Sequence, residues 1–242
     1  MEGDFLNIKY GVVKIRFIIF PAIFFILSTA IFVPVLKAEK TDANAVKTVY
    51  FTFDDGPSES TEEILDILLE ENIKATFFVI GPSDEKADER LFRIYSEGHS
   101  IGLHTMSHSY DKIYLSEESF LEDIEAERKW VYSVTGEECK IFRFPGGSNN
   151  YAAPKWLIEA VKDETNREGM CWYDWNADGR DSLGELLSPE EIAKNVLSSE
   201  FIGSETVIVL LHDSATRTTT PAALRILISE FRKMGYEFGK LG

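Results

Sequence analysis

From Thr48 onward, short apolar runs rich in β-branched and aromatic residues alternate with longer segments that have the period of an amphipathic helix. This alternation is typical of βα units around a parallel sheet. The predicted strands are 48–53, 75–80, 100–103, 141–144, 170–174, 206–211 and 236–238. The predicted helices are 61–71, 88–97, 117–134, 154–163, 189–197 and 221–234. About seven βα units fit either a barrel or a doubly wound open sheet, and both folds place their sites beyond the carboxyl ends of the strands.

The residues before this alternation predict export. Phe17 to Leu36 form a run of 20 residues without a charge, and Lys9, Lys14 and Arg16 precede it. Such a run is long enough to span a bilayer as an anchor, and small residues near its end could instead serve as a cleavage site. We therefore expect a signal peptide or membrane anchor over 1–38, a polar linker over 39–47, a catalytic domain over 48–242, and a cell-surface or extracellular location.

Charge and cysteine content exclude two classes of protein. The net charge is -16, so the surface lacks the basic stripe that neutralises phosphates, and nucleic acid is not an expected partner. With only Cys139 and Cys171, the chain has neither a disulfide framework nor the cysteine spacing of a structural zinc site. A single bridge between the two remains open, although two buried thiols are the favoured interpretation.

Acidic and imidazole side chains follow the first and third predicted strands. Asp54 and Asp55 stand on a turn, where one carboxylate could bind a cation while its neighbour acts as a base. His104 and His108 share one face if they lie on a helical turn, and their spacing is common among zinc ligands. Together with Asp55 they could form a catalytic metal centre or the site of an iron oxygenase. His99 lies at a helix-to-strand turn and is interpreted as structural.

Two further strand ends carry polar groups. Arg143 precedes the turn Pro145-Gly146-Gly147, whose glycines allow a substrate to approach exposed backbone N–H groups. His212 ends the strand that begins near Thr206, and a histidine at that place is suited to proton transfer. Four polar clusters at four strand ends predict one shared site.

Taken in chain order, TFDDGP, HTMSH, RFPGG, Asp174-Trp175 and LLHD resemble the five motifs of the polysaccharide deacetylase family, also called the NodB-homology or carbohydrate esterase 4 family. The resemblance extends from Thr48 to about Phe238. It implies a distorted (β/α) barrel and metal-dependent removal of acetyl groups from amino sugars. It also implies a divalent metal, zinc or cobalt, and an acetylated glycan as substrate, with peptidoglycan N-acetylglucosamine preferred because export favours a surface substrate.

Position by position, the resemblance implies the groups that carry the reaction. Asp54 matches the catalytic base, and His212 matches the catalytic acid. Asp55, His104 and His108 match the metal ligands.

The resemblance also implies the groups that support them. Arg143 matches the residue that orients the base, and Asp174 matches the carboxylate that tunes the acid histidine. Trp175 and Leu210 match the walls around the acetyl group. The backbone N–H of Gly146 matches the donor to the oxyanion.

The motifs depart from the family in two places. The fourth motif often reads D-x-x-D-W, but its first position here is Cys171, and the third often has an aromatic residue where Gly146 stands, which predicts a more open groove. Residues 174–185 also match the letters of an EF-hand calcium loop. Calcium binding is disfavoured, because an EF-hand needs a helix on each side and 170–174 is predicted to be a strand.

Other functions remain open from the sequence. The same site could deacetylate chitin oligosaccharides or acetylated xylan. An iron oxygenase would not need the base Asp54 or the acid His212. A catalytically silent glycan-binding module is the rival outside the enzymes.

Overall fold

The computed structural model describes residues 46–182 and 184–242, which contain eight strands and seven helices. The strands are β1 (Thr48–Gly56), β2 (Thr76–Val79), β3 (Ser100–Leu103), β4 (Ile141–Phe142), β5 (Cys171–Trp172), β6 (Ala177–Asp178), β7 (Thr206–His212) and β8 (Glu237–Gly239). The helices are α1 (Glu59–Glu70), α2 (Ala87–Ser96), α3 (Tyr110–Ile113), α4 (Glu117–Thr135), α5 (Lys155–Arg167), α6 (Pro189–Leu197) and α7 (Thr220–Lys233).

The strands form a parallel sheet in the order β5-β4-β3-β2-β1-β7-β6. β1 is paired with β7 along 48–54, while its other edge pairs with β8 over 48–50 and with β2 from Thr52 onward. No ladder joins β5 to β6 in the ranges described here, so the sheet wraps without closing there. The distorted (β/α) barrel is thereby confirmed.

Side-chain alternation along β1 separates the helix-facing core from the barrel interior. Val49, Phe51 and Phe53 belong to the main hydrophobic core, which α1 and α7 also line. Tyr50 packs in a second, smaller cluster with Phe78. Because successive strand residues point to opposite faces, Thr52 and Asp54 share the interior face with Tyr50. The side chain of Asp54 therefore lies in the barrel interior near the carboxyl end of β1.

Helix starts agree with their capping residues. Ser116 and Ser188 accept hydrogen bonds from backbone N–H groups in the first turns of α4 and α6, which begin where the sequence predicts these helices. Ser188 also forms a reciprocal capping box with Glu191. His99 is buried and its Nδ1 accepts a hydrogen bond of 3.1 Å from Ala75 N–H, which confirms its structural interpretation.

The structure differs from the sequence-based expectations in two respects and agrees with a third. It adds α3 and β6, which are too short to show a period. Cys139 and Cys171 are free thiols and only Cys139 is buried, so the expectation of two buried thiols is wrong for Cys171. A strand precedes the calcium-like segment 174–185 and another lies inside it, so this segment is not an EF-hand loop.

The predicted segment 1–38 and linker residues 39–45 lie outside the described residues. Within the ranges that are described, no helix is long and apolar enough to cross a membrane.

Candidate active site

β1 delivers two carboxylates to the site in different directions. The pairing of β1 with β2 shifts register between Asp54 and Gly56, and Asp55 has a φ of 71°. Asp54 is buried and lies beside His212 in the β1–β7 register. A left-handed non-glycine residue costs free energy, and such strain is concentrated at functional sites. After this bulge the two adjacent carboxylates have different neighbours, with Asp54 bonded to Arg143 and Asp55 next to His108.

His104 and His108 lie on an irregular loop after β3 and not on a helical turn. Thr105 and His108 have φ values of 78° and 46°, which bring the two rings to 5.1 Å between centroids. His104 Nδ1 lies 2.9 Å from the carbonyl oxygen of Arg143, so Nε2 faces the site. Burial lowers the pKa of His104 to about 3, which keeps its imidazole neutral at physiological pH.

Two acidic residues of α4, which no sequence motif indicated, accept hydrogen bonds from the backbone of this loop. The carboxylate of buried Glu127 accepts from the backbone N–H of His104 at 3.1 and 3.2 Å, and Asp123 accepts from Ser107 N–H at 2.8 Å. Burial raises the pKa of Glu127 well above its usual value. Both residues lie on the buried face of α4. Charged residues inside an apolar helical stripe were the sequence signal for this role.

The three predicted ligands fit a metal ion. Asp55 Oδ1 lies 3.2 Å from His108 Nε2 and 3.7 Å from His104 Nε2, and the three ligand atoms fall within 4.8 Å of one another. Asp55 Oδ1 is buried, and within the described chain it has no hydrogen-bond partner. An orphaned carboxylate oxygen facing two imidazole nitrogens matches the donor set that divalent metals use in catalytic sites. The site therefore suits a divalent cation.

Arg143 is fully buried and fixes Asp54. Its Nη1 donates to Asp54 Oδ1 at 2.8 Å and to Thr52 Oγ1 at 2.7 Å, and its Nε donates to the carbonyl of Tyr173 at 2.9 Å. The guanidinium carbon lies 4.1 Å from the centroid of the Phe78 ring. Burial raises the pKa of Asp54, although the positive charges of Arg143 and His212 act against it. The hydrogen bond from Arg143 to Asp54 is the contact that Arg143 needs to orient this carboxylate.

His212 is paired with Asp181, not with Asp174, so the expectation for Asp174 is wrong. His212 Nδ1 lies 2.7 Å from Asp181 Oδ1, while Asp181 Oδ2 accepts from His212 N–H at 2.9 Å and from Thr220 Oγ1 at 2.8 Å. Burial alone would lower the pKa of His212. The hydrogen bond and charge of Asp181, with Asp54 and Asp55, outweigh burial and raise it to about 9.

Asp174 instead holds the loop after β4. Its carboxylate accepts from Ser148 N–H at 2.9 Å and from Ser148 Oγ at 2.6 Å. The D-x-x-D spacing of the fourth motif recurs at Asp178 and Asp181, with Ser182 where the tryptophan of D-x-x-D-W would follow. That spacing was the available signal for Asp181. Because Asp174 is followed by a tryptophan, the role of partner to His212 was assigned to it and not to Asp181, seven residues later.

Eight of the ten predicted site residues line one cavity of about 310 Å³. They are Asp54, Asp55, His104, His108, Gly146, Trp175, Leu210 and His212. Arg143 lies behind Asp54, and Asp174 lies behind Ser148. Tyr110, Asp178 and Ser182 complete the lining. Tyr110 lies against Gly146, so the structure does not leave the groove open beside this glycine.

Comparisons with known proteins agree with this geometry. A family model described as polysaccharide deacetylase matches residues 41–161. A peptidoglycan-N-acetylglucosamine deacetylase of Bacillus cereus is 34% identical over 197 residues, which cover 81% of this chain and 86% of that protein.

Solved structures show the same similarity. The catalytic domain of a peptidoglycan N-acetylglucosamine deacetylase from Eubacterium rectale superimposes with a TM-score of 0.76 at 31% identity, covering 81% of this chain and 89% of that one. For a CE4 esterase of Streptococcus mutans the TM-score is 0.74 at 28% identity, with 81% and 86% covered. The family model, these relatives and the shared cavity of Asp54, the Asp55–His104–His108 cluster and His212 agree, and the chain belongs to the polysaccharide deacetylase family.

Proposed function

We propose that this chain is a zinc-dependent hydrolase that removes N-acetyl groups from a cell-wall glycan, with peptidoglycan N-acetylglucosamine as its substrate. The observation that carries the proposal is the single cavity shared by Asp54, the Asp55–His104–His108 cluster and His212. Amide hydrolysis needs a base on one side of the carbonyl and an acid for the leaving amine. Relatives named as peptidoglycan N-acetylglucosamine deacetylases support the choice of glycan.

Asp55, His104 and His108 would hold the metal, and the remaining groups have distinct tasks around it. A divalent cation held there would lower the pKa of bound water and polarise the acetyl carbonyl. Neutral imidazoles with one carboxylate are a common zinc donor set, which favours zinc, while cobalt shares the same geometry. His104 is prepared for ligation because burial keeps it neutral and the Arg143 carbonyl fixes its orientation.

The chain's own groups then move the protons. Asp54 takes a proton from the attacking water, and Arg143 holds the carboxylate in the orientation for that transfer. The backbone N–H of Gly146 donates to the developing oxyanion. Protonated His212, stabilised by Asp181, gives its proton to the departing amine, because an unprotonated amine leaves poorly. The products are acetate and a glucosamine unit.

The surroundings of the cavity suit a polymer better than an acetylated monosaccharide. Trp175 and Asp178 also line a polar depression of about 500 Å³ beside α6, which includes exposed Phe201. Trp175 and Gly146 line another of about 210 Å³ along the loop after β4. The site thus continues in two directions from Trp175. Aromatic faces alternating with polar groups are suited to sugar rings.

Acetate release from purified peptidoglycan tests the proposal. We expect the 242-residue chain to release acetate, to lose at least about tenfold of this rate with a chelator, and to regain it with zinc. N-Acetylglucosamine oligomers and acetylated xylan run in parallel separate the rival substrates. Acetate from either of these but not from peptidoglycan would overturn the glycan assignment. Glycan binding without acetate release from any of the three would indicate a silent binding module.

We infer export from the apolar N-terminal run and its preceding basic residues, with the segment either cleaved or kept as an anchor. A fusion of residues 1–47 to a reporter enzyme active only outside the cytoplasm is expected to be active. The same fusion lacking 17–36 is the control and is expected to be inactive. Equal activity of the two fusions would contradict export by this segment.

A further inference from the structure

Gly146 leaves room in the wall of the cavity, and the side chain of Tyr110 occupies it. A Cβ atom on Gly146 would lie 2.9 Å from the Tyr110 hydroxyl oxygen and 3.5 Å from its Cε1. Contacts of 2.9 Å are closer than carbon and oxygen tolerate, so a side chain at 146 would require the phenol to shift. Tyr110 therefore forms the wall next to the backbone that is expected to hold the oxyanion.

The phenol is held in this position by its neighbours. The Tyr110 ring stands edge-to-face against His108 at 5.6 Å and against Tyr114 at 5.6 Å between centroids. The Tyr114 hydroxyl in turn donates to the carbonyl of Pro145 at 2.7 Å, which ties α3 to the loop that carries Gly146. A side chain fixed by packing and by a second layer of hydrogen bonds is suited to contact a ligand with defined geometry.

The Tyr110 hydroxyl makes no hydrogen bond to any residue in the ranges 46–182 and 184–242. Tyr110 is 38% exposed and lines the cavity of Asp54, Asp55 and His108. Asp54 already accepts a hydrogen bond from Arg143. Asp55 is expected to bind the metal. Within the cavity, water or a bound ligand is therefore the partner left for this O–H donor, and a sugar hydroxyl or carbonyl can take the place of that water.

We propose that Tyr110 is a substrate-binding residue whose hydroxyl hydrogen-bonds the acetylated sugar, beside the acetyl group that Gly146 receives. The assignment rests on the proposed function, because it takes an acetylated glycan as the occupant of the cavity. Tyr110 makes this contact before and during the reaction alike. It contributes to binding and leaves the chemical step to Asp54 and His212.

Steady-state kinetics of Tyr110→Phe on a soluble tetramer of N-acetylglucosamine test the assignment. We expect KM to rise about tenfold with kcat within about twofold, since loss of uniform binding raises KM alone. Tyr132→Phe, on an exposed part of α4 outside the cavity, is the matched control and should change neither constant. Unchanged KM in Tyr110→Phe would overturn the proposal. A fall in kcat at constant KM would also overturn it, because the hydroxyl would then act on the oxyanion alone.

Direct binding of the same tetramer to the zinc-loaded chain, measured by calorimetry, keeps the inference separate from the proposed activity. If the parent binds the tetramer but releases no acetate, the activity fails, and about tenfold weaker binding by Tyr110→Phe still supports the contact. Equal affinity of the two proteins refutes it. Absence of binding by the parent refutes both.

A double-mutant cycle with Gly146→Ala tests the geometry independently. In the parent, the added methyl group meets the Tyr110 hydroxyl at 2.9 Å, whereas in Tyr110→Phe that oxygen is gone. The strain of a non-glycine residue at φ +76° is the same in both backgrounds and cancels. We expect Gly146→Ala to reduce kcat/KM at least about threefold more in the parent than in Tyr110→Phe. Equal losses would place the hydroxyl elsewhere and overturn the assignment.

Discussion

The Asp54→Asn variant is expected to lose about 10²- to 10⁴-fold of kcat, which is the contribution of a positioned general base. Asparagine has nearly the same size, and its amide oxygen can still accept the hydrogen bond from Arg143 Nη1. What the variant lacks is the carboxylate that receives the proton from water. Acetate release at saturating substrate is the measurement, together with bound zinc per chain.

The buried position of Asp54 makes a matched control necessary. The guanidinium of Arg143 is fully buried and loses its counter-charge in Asp54→Asn, so the free energy of unfolding should fall. Zinc content at the parent level shows that the cavity is still assembled, because Asp55, His104 and His108 are unchanged. Asp178→Asn, at another carboxylate lining the same cavity, is expected to keep kcat within about threefold of the parent. Retention of more than a tenth of the parent kcat by Asp54→Asn would exclude Asp54 as the base.

The position of Asp54 follows from period-two alternation, which the sequence displays. In TVYFTFDD, the residues Val49, Phe51 and Phe53 face the helices, so Tyr50, Thr52 and Asp54 face the interior. Parallel pairing then brings the ends of β1 and β7 to one rim, with Asp54 beside His212. Long strands with regular patterning therefore predicted the fold and the principal groups.

The parts that the sequence did not predict belong to short or irregular segments. β5 and β6 have two residues each, and no period can be read from two residues. The path of the backbone from β5 to the residues after β6 determines whether Asp174 or Asp181 contacts His212. Each of these two residues satisfies part of the fourth motif. The position of Tyr110 depends on a four-residue helix and on packing against His108, which are tertiary effects.

Asp181→Asn is expected to reduce kcat by about 10²-fold near pH 8 and to move the alkaline limb of the pH–rate profile to lower pH. His212 must be protonated to donate to the leaving amine, so activity is present below its pKa and is lost above it. The bond and charge of Asp181 hold that pKa at about 9 against burial, which lowers it. Removing the charge leaves burial with less opposition, and the pKa of His212 falls. The measurement is kcat from pH 6 to 10 at saturating substrate.

Asp174→Asn is the matched variant, because it makes the same chemical change two residues after β5 without touching His212. Its carboxylate holds Ser148, so the variant can disturb the loop of Gly146 and lower kcat, but it should leave the alkaline limb where the parent has it. A shift in Asp174→Asn and none in Asp181→Asn would return the tuning role to Asp174. A shift in Asp181→Asn alone establishes that the proton is held at His212 by the carboxylate 2.7 Å from Nδ1, which is what an acid for amine departure requires near neutral pH.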